Sequence, residues 1–379
     1  MNSRERVMTA VRRAEPDRIP FDLGGMAQSG IHRLAYAALR RHLGLPEIEV
    51  EVLNINTQQA RLDADFQERL GIDAHLVYSR WADPRRAAVR EDGPFLVYTD
   101  EWGVGRRMPR DGGLYYDVFH HPLAVDELEG AWRDYRWPDP ADPARFAGLA
   151  QEARQARDSN RFVVLMGLCP GVVEMYSWLR GYERFYADLA TEPEIVSRFL
   201  DQMVELKTAY WRRALAETEG CVDAVNEADD MAGQTAMLFS PAMYRRLIKP
   251  YHRRLFSAIK QAAPGVQLIF HSCGAVRPII PDLIEIGVDI LNPVQITAAG
   301  MHPFELKREF GRDIVFWGGG IDAQQTLSSG TAQQVREEVK RNVEALAPGG
   351  GFVFAPTHII QPNVPPENLM AMWEALQTI

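Results

Sequence analysis

The residues that could do chemistry are concentrated in a few short segments. The sharpest is Leu268-Ile269-Phe270-His271-Ser272-Cys273-Gly274. An imidazole and a thiolate are both good zinc ligands, at about 2.0–2.1 Å and 2.3 Å respectively. Residues two apart on a segment leaving a strand point to one side, and a glycine permits the sharp exit that follows. A packed histidine beside a small buried cysteine would fit the same short pattern. A catalytic zinc takes three protein ligands and keeps an open position. His358, in Pro356-Thr357-His358-Ile359-Ile360-Gln361, could be the third ligand or could hydrogen-bond a substrate, and both readings stand.

The second segment, Asn226-Glu227-Ala228-Asp229-Asp230-Met231, sets three carboxylates close together. On a solvated face such a cluster does nothing. Held at the mouth of an enzyme site it can supply a general acid or a metal ligand, because mutual repulsion raises one pKa. Asp229 and Asp230 are the first candidates, with Glu227 behind them. Asn292 and Gln295, Asp322 after the run Gly318-Gly319-Gly320, and Gln361 are candidates for binding substrate. The glycine run is as readily plain turn geometry; it lacks dinucleotide spacing, and neither a P-loop nor a nucleophile elbow occurs. His252, His302 and His120-His121 have no ligand-spaced partner and are expected to be satisfied in the core or at the surface.

Positioning these residues needs a scaffold. Mostly apolar runs ending in polar or glycine residues recur at 19–23, 74–78, 162–167, 222–226, 268–271, 288–292, 314–318 and 352–356, most separated by helical patterns. Eight such runs suit parallel strands covered on both sides, and point to a (β/α)8 TIM barrel of the α/β class, with a doubly wound open sheet as the competitor. The candidate residues then fall at C-terminal strand ends, where barrel active sites lie. The region 80–160 breaks the rhythm. Its part 89–113 partly alternates and carries Asp92-Gly93 and Asp111-Gly112-Gly113, which predicts β-hairpins inserted after the second strand. Being short of apolar residues for its own core, it reads as a cover on a single domain spanning 1–379.

Composition narrows the classes. With 42 basic and 51 acidic residues the net charge is 42 − 51 = −9, which argues against nucleic acid as a partner. Arg106, Arg107 and Arg110 form a local basic group of the kind that covers a solvated face or binds a small anion. No apolar stretch of 18 residues occurs, and the charged, helical pattern of 1–13 leads into no apolar run, so neither a membrane span nor a secretory signal is expected. Three cysteines among 379 residues fit a reducing cytoplasm rather than a disulfide framework. A small-molecule substrate is expected, and aromatic residues in the inserted hairpins, if exposed, would suit a homodimer.

Taken together, Arg4-Glu5-Arg6-Val7 with Pro16-Asp17-Arg18-Ile19-Pro20, the segment from Asp229 to Gln234, Ser240-Pro241 with Tyr244 and Pro250-Tyr251, His271-Ser272-Cys273-Gly274 and Pro365-Pro366-Glu367-Asn368-Leu369 resemble the uroporphyrinogen decarboxylase superfamily. The branch they are most similar to is that of zinc-dependent, corrinoid-linked methyltransferases. The resemblance implies a barrel with its site at the strand C-termini and a metal held by His271, Cys273 and a distant cysteine. Where that cysteine would stand, this chain has Thr357-His358; His358 as its substitute would leave one thiolate instead of two. The arginine-rich grip of the true decarboxylases is not recognisable, and 21–28 holds no cation. The function expected is a zinc-dependent methyltransferase moving a methyl group between a small substrate and a corrinoid on a partner protein, since no Asp-x-His-x-x-Gly segment is present. The alternatives are a decarboxylase or lyase acting on a small carboxylate, and a binding barrel without catalysis.

Overall fold

The computed structural model describes residues 1–379, apart from the side chain of Pro84. Helix α1 (Ser3–Val11) is started by a capping box between Asn2 and Glu5. A short ribbon, β1 (Val52–Asn54) and β2 (Gln59–Ala60), precedes β3 (Ala74–Val77). Next come β4 (Arg90–Asp92), β5 (Phe95–Thr99), β6 (Gly105–Pro109) and β7 (Asp117–His120). From there β8 (Phe162–Met166), helix α2 (Val172–Arg180), the long helix α3 (Pro193–Glu217), β9 (Ala224–Ala228), helix α4 (Lys249–Ala262), β10 (Gln267–His271), β11 (Ile290–Asn292), β12 (Val315–Trp317) and β13 (Phe352–Val353) follow.

Seven strands form one sheet in the order β13-β12-β11-β10-β9-β8-β3, every pair parallel. The eighth run, 19–23, closes the ring. The Asp22 N–H donates to the Phe354 carbonyl at 2.8 Å and the Phe354 N–H to the Pro20 carbonyl at 2.9 Å, while on the other side the Asp73 N–H donates to the Phe21 carbonyl at 2.8 Å. This expected strand is reduced to a single bridge at Phe21. Pro20 has no N–H to give the ladder, and the Phe21 N–H is taken by the Asp73 carboxylate at 2.9 Å. The architecture is a (β/α)8 barrel.

The apolar runs are two-sided because alternate residues serve two cores. Ala74, Phe162, Val164, Ala224, Ile269, Ile290, Val315, Trp317 and Val353 fill the barrel interior, and Val7, Ala10 and Val11 of α1 join them. The residues between, such as Val163, Leu165, Val225, Leu268, Phe270, Leu291 and Phe316, pack outward in the larger cluster. Each large apolar side chain so buried contributes roughly 1.5–3 kcal/mol. The same alternation aims the rim: two residues beyond Ile269 and Ile290 stand His271 and Asn292, at the mouth of the interior.

Between β3 and β8 the insertion forms a four-stranded antiparallel sheet in the order β4-β5-β6-β7, one more strand pairing than the two hairpin turns foretell. Trp102, Val104, Leu123 and Phe146 of this region belong to the larger core cluster. Tyr98, Met108 and Tyr116 make a small cluster of their own. Tyr115 and Phe119 are exposed. Among the described residues, no helix is long and apolar enough to cross a membrane.

Candidate active site

At the C-terminal mouth of the barrel lies a cavity of about 420 Å³, bordered by His271, His358, Asp230, Glu174, Arg106 and Gln361 among others. The volume falls in the lower range for small-molecule sites.

His271 ends β10, where it pairs in register with Ala228 and Asn292. Its Nδ1 lies 2.6 Å from the Asn292 Oδ1, while the Asn292 amide N–H donates to the Trp317 carbonyl at 2.8 Å. With the amide nitrogen committed, the Asn292 oxygen must accept, so Nδ1 carries the proton and Nε2 has a free lone pair. That Nε2 faces the Cys273 sulfur at 3.5 Å. Asn292, expected to bind substrate, therefore orients His271 and is not among the residues bordering the cavity.

Cys273 is placed by two carboxyl- and amide-bearing side chains. Its N–H donates to the Asp230 Oδ1 at 2.8 Å, and the Gly274 N–H donates to the Gln295 Oε1 at 2.6 Å. Gly274 turns with φ +86°, and a Cβ there would meet the Ala232 and Gly233 carbonyls at 2.5 Å; only glycine fits. Gln295, expected to touch substrate, instead holds this turn. Burial, with Asp230 and Glu174 nearby, pushes the Cys273 thiol well up.

His358 follows β13, its ring centroid 6.0 Å from that of His271. Burial, then the neighbouring His271, pushes its pKa down to about 4, so it is a neutral imidazole. The ligand atoms of His271, Cys273 and His358 all lie within 4.8 Å of one another. These are the three residues that the sequence singles out.

The carboxylate cluster splits. Asp230 borders the cavity and sets its Oδ1 3.7 Å from the His271 Nε2. Asp229 turns behind the rim and is fully buried. There it accepts the Val173 and Glu174 N–H groups at 3.0 and 2.8 Å, capping α2, and the His252 Nε2 lies 2.9 Å away. Gly171 makes room for it, since a Cβ there would sit 2.0 Å from the Asp229 Cγ. Glu227 is likewise enclosed, paired with the Lys207 Nζ at 3.0 Å and accepting the Trp211 indole N–H at 2.5 Å. Its pKa is raised by burial against the pull of Lys207. Neither Asp229 nor Glu227 borders the cavity; both shape the elements that do. Asp322 is also structural, accepting the Gln324 and Gln325 N–H groups at 3.0 Å each. Gln361 does border the cavity, with a buried Oε1 that has no protein partner.

Beyond those candidates, an acid and a base border the cavity: Glu174, not singled out from the sequence, and Arg106, named there only within a basic group suited to a solvated face or a small anion. Glu174 enters from α2, and burial, then Asp230 and Asp229, raises its carboxyl pKa well above the ordinary value. The only hint was a lone acid in the otherwise apolar start of a helix following a rim strand. Arg106 comes from β6. Its burial follows the strand alternation: Arg106 is 3% exposed while Arg107 faces solvent.

A family model described as uroporphyrinogen decarboxylase matches residues 95–379, more than half of the chain. The uroporphyrinogen decarboxylase of Alkalilimnicola ehrlichii is 26% identical over 99% of this chain and 94% of its own length. That of Thermus thermophilus is 24% identical over 93% and 92%. Among solved structures, a methyltransferase from Methanosarcina mazei superposes with a TM-score of 0.67 over 100% of this chain and 99% of its own, at 21% identity, a likeness of fold.

Proposed function

This chain belongs to the uroporphyrinogen decarboxylase family, and on that premise we propose that it is a zinc-dependent methyltransferase acting on a small substrate, with a corrinoid-carrying protein as partner. The observation that carries the reading is the convergence of three ligand atoms within 4.8 Å, two of them on His271 and His358, which border the cavity. The donor set fits zinc. Two neutral imidazoles and one thiol supply nitrogen and sulfur ligands, and three protein ligands leave a position open.

Zinc held by His271, Cys273 and His358 would supply a Lewis acid that lowers the pKa of a thiol or hydroxyl on the substrate. The rest is done by side chains. Asn292 fixes the His271 tautomer, as carboxamide and carboxylate partners of metal-bound histidines do. Cys273 would hold the metal as its thiolate, and Asp230, whose Oδ1 accepts the Cys273 N–H at 2.8 Å and lies 3.7 Å from the His271 Nε2, would be the adjoining carboxylate able to take up the released proton. Glu174, whose carboxyl pKa is raised by burial and by Asp230 and Asp229, can hold a proton at its carboxyl oxygen within the same cavity. The corrinoid is assigned to a partner because the chain has no segment of Asp-x-His-x-x-Gly form.

A second reading, a carboxy-lyase acting on a small carboxylate, is favoured by the buried guanidinium of Arg106 at the cavity and by the names of the curated relatives. Metal analysis of the wild type beside His271→Ala, Cys273→Ala and His358→Ala, each checked for folding, separates the two. The expected result is about one zinc per chain, lost or weakened in every variant, followed by methyl transfer with a corrinoid protein. A folded wild type that takes up no zinc when supplied with it, or that releases carbon dioxide from its substrate, would overturn the methyltransferase reading.

A further inference from the structure

We propose that Arg106 is the anchor for a carboxylate on the substrate, so that the cavity selects small carboxylic acids whose far end meets His271, Cys273 and His358. The inference rests on the reading above for what happens at that far end, but not for the anchor itself.

Arg106 is held as a presented fork. Its Nε–H faces the Asp100 Oδ2 at 3.3 Å, and Asp100 is itself fixed by accepting the Trp102 and Val104 N–H groups at 3.0 Å each. The guanidinium lies over the Trp178 ring, with Cζ 4.0 Å from its centroid. One edge and one face are thus used. Among the described residues the two terminal amines bond to nothing, and Nη2 is buried without a partner. A buried donor left unmade costs about 1–3 kcal/mol, more for a charged group. Leaving a guanidinium in that condition makes sense where a ligand completes it, and the planar fork matches a carboxylate with two parallel hydrogen bonds.

The remaining orphans gather at the same cavity. Among the described residues seven buried side-chain polar atoms have no partner, and four of them belong to residues bordering this one cavity: Gln28, Thr57, Arg106 and Gln361. They come from separate segments, so a single local distortion does not account for them. The Arg106 Nη2 and the Thr57 hydroxyl can donate to a bound carboxylate, while the Gln28 and Gln361 Oε1 atoms accept and are met by a donor elsewhere on the ligand or by water. Of the acids on the same wall, Glu174 has its carboxyl pKa raised by burial, then by Asp230 and Asp229, which weakens its repulsion of a bound anion. Asp230 stands beside the ligand cluster, to which its Oδ1 and the Cys273 N–H tie it.

The test is calorimetric binding of methoxyacetate and 3-(methylthio)propionate, each beside its neutral amide, to wild type, Arg106→Lys, Arg106→Gln and His271→Ala. Both acids are expected to bind wild type at least tenfold more tightly than their amides. Arg106→Gln should abolish that preference and Arg106→Lys should keep only part of it, while His271→Ala retains it. Acids and amides binding equally to wild type, no acid binding at all, or a folded Arg106→Gln that keeps the preference would each overturn the proposal. The acid-over-amide comparison in wild type does not depend on a variant folding. Preference for acids without any methyl transfer would overturn the methyltransferase reading and leave the anchor standing.

Discussion

At the residue scale, the convergence of His271, Cys273 and His358 was legible because each member is chemically distinctive and ends or follows a strand. The difference between Asp229 and Asp230 was not. Adjacent residues leaving a strand point apart, and only the position of α2 decides which one meets the cavity and which caps a helix. His358 carries a consequence for stability that follows from its low pKa. A histidine of ordinary pKa 6.5 in the unfolded chain and about 4 in the folded one binds more protons unfolded throughout that window. Stability therefore rises with pH between about 4 and 6.5. A competing slope of opposite sign comes from the fully buried Asp22, pushed up to about 6 by burial, so the net profile of the wild type hides the histidine. Comparison with His358→Asn isolates it. In chelator-treated protein, the wild type should lose up to about 3 kcal/mol relative to the variant as pH falls from 6.5 to 4. Urea unfolding at several pH values measures this, and parallel profiles for the two proteins would mean His358 is not buried neutral.

At the element scale, the barrel strands were readable from composition because both faces are buried and the runs are mostly apolar. Their ends were less so. The run expected at 222–226 forms Ala224–Ala228, and the run at 19–23 survives as a bridge because a proline and a side-chain carboxylate replace ladder bonds. Register in the insertion mattered more than its existence. Pairing Tyr98 with Arg106 turns Arg106 inward and Arg107 outward, a one-residue difference that composition does not reveal. Helix α2 brings Glu174 to the cavity only because Asp229 ties its first turn down. Asp229→Ala removes the acceptor of two backbone N–H groups and of His252 in one step, and should cost roughly 3 kcal/mol of stability. Asp230→Ala, on a half-open side chain, should stay within about 1 kcal/mol of wild type while weakening metal binding through the freed Cys273 N–H. Equal destabilisation by the two changes would refute this division of labour.

At the scale of the whole molecule, the two ends of the barrel are built for different purposes. The C-terminal mouth gathers unpaired polar atoms; the N-terminal end satisfies them. Asp73, buried completely at the start of β3, accepts from the Arg6 Nη1 at 2.8 Å, from the Arg18 Nη1 and Nη2 at 2.8 and 3.0 Å, and from the Phe21 N–H. One carboxylate thereby ties α1, the closing bridge and β3 together where the ring has its weakest seam. Removing it leaves the Arg6 Nη1 and the Phe21 N–H without their acceptor, although Asp17 still holds the Arg6 Nε and Nη2 and the Met1 carbonyl also accepts from Nη2. Breaking a buried pair from one side is destabilising by about 3–5 kcal/mol. Asp73→Ala is expected near the lower figure, because Arg18 can turn to water. Since, among the described residues, the Asp73 carboxylate bonds only to Arg6, Arg18 and the Phe21 N–H and to none of the segments that carry His271, Cys273 and His358, zinc affinity of the folded fraction should stay within about threefold of wild type. Guanidinium unfolding together with a competitive zinc titration measures both quantities on one sample. A variant that keeps its stability would mean the seam is closed by the backbone alone, and one that loses zinc affinity in proportion to its stability would mean the two ends are energetically one unit.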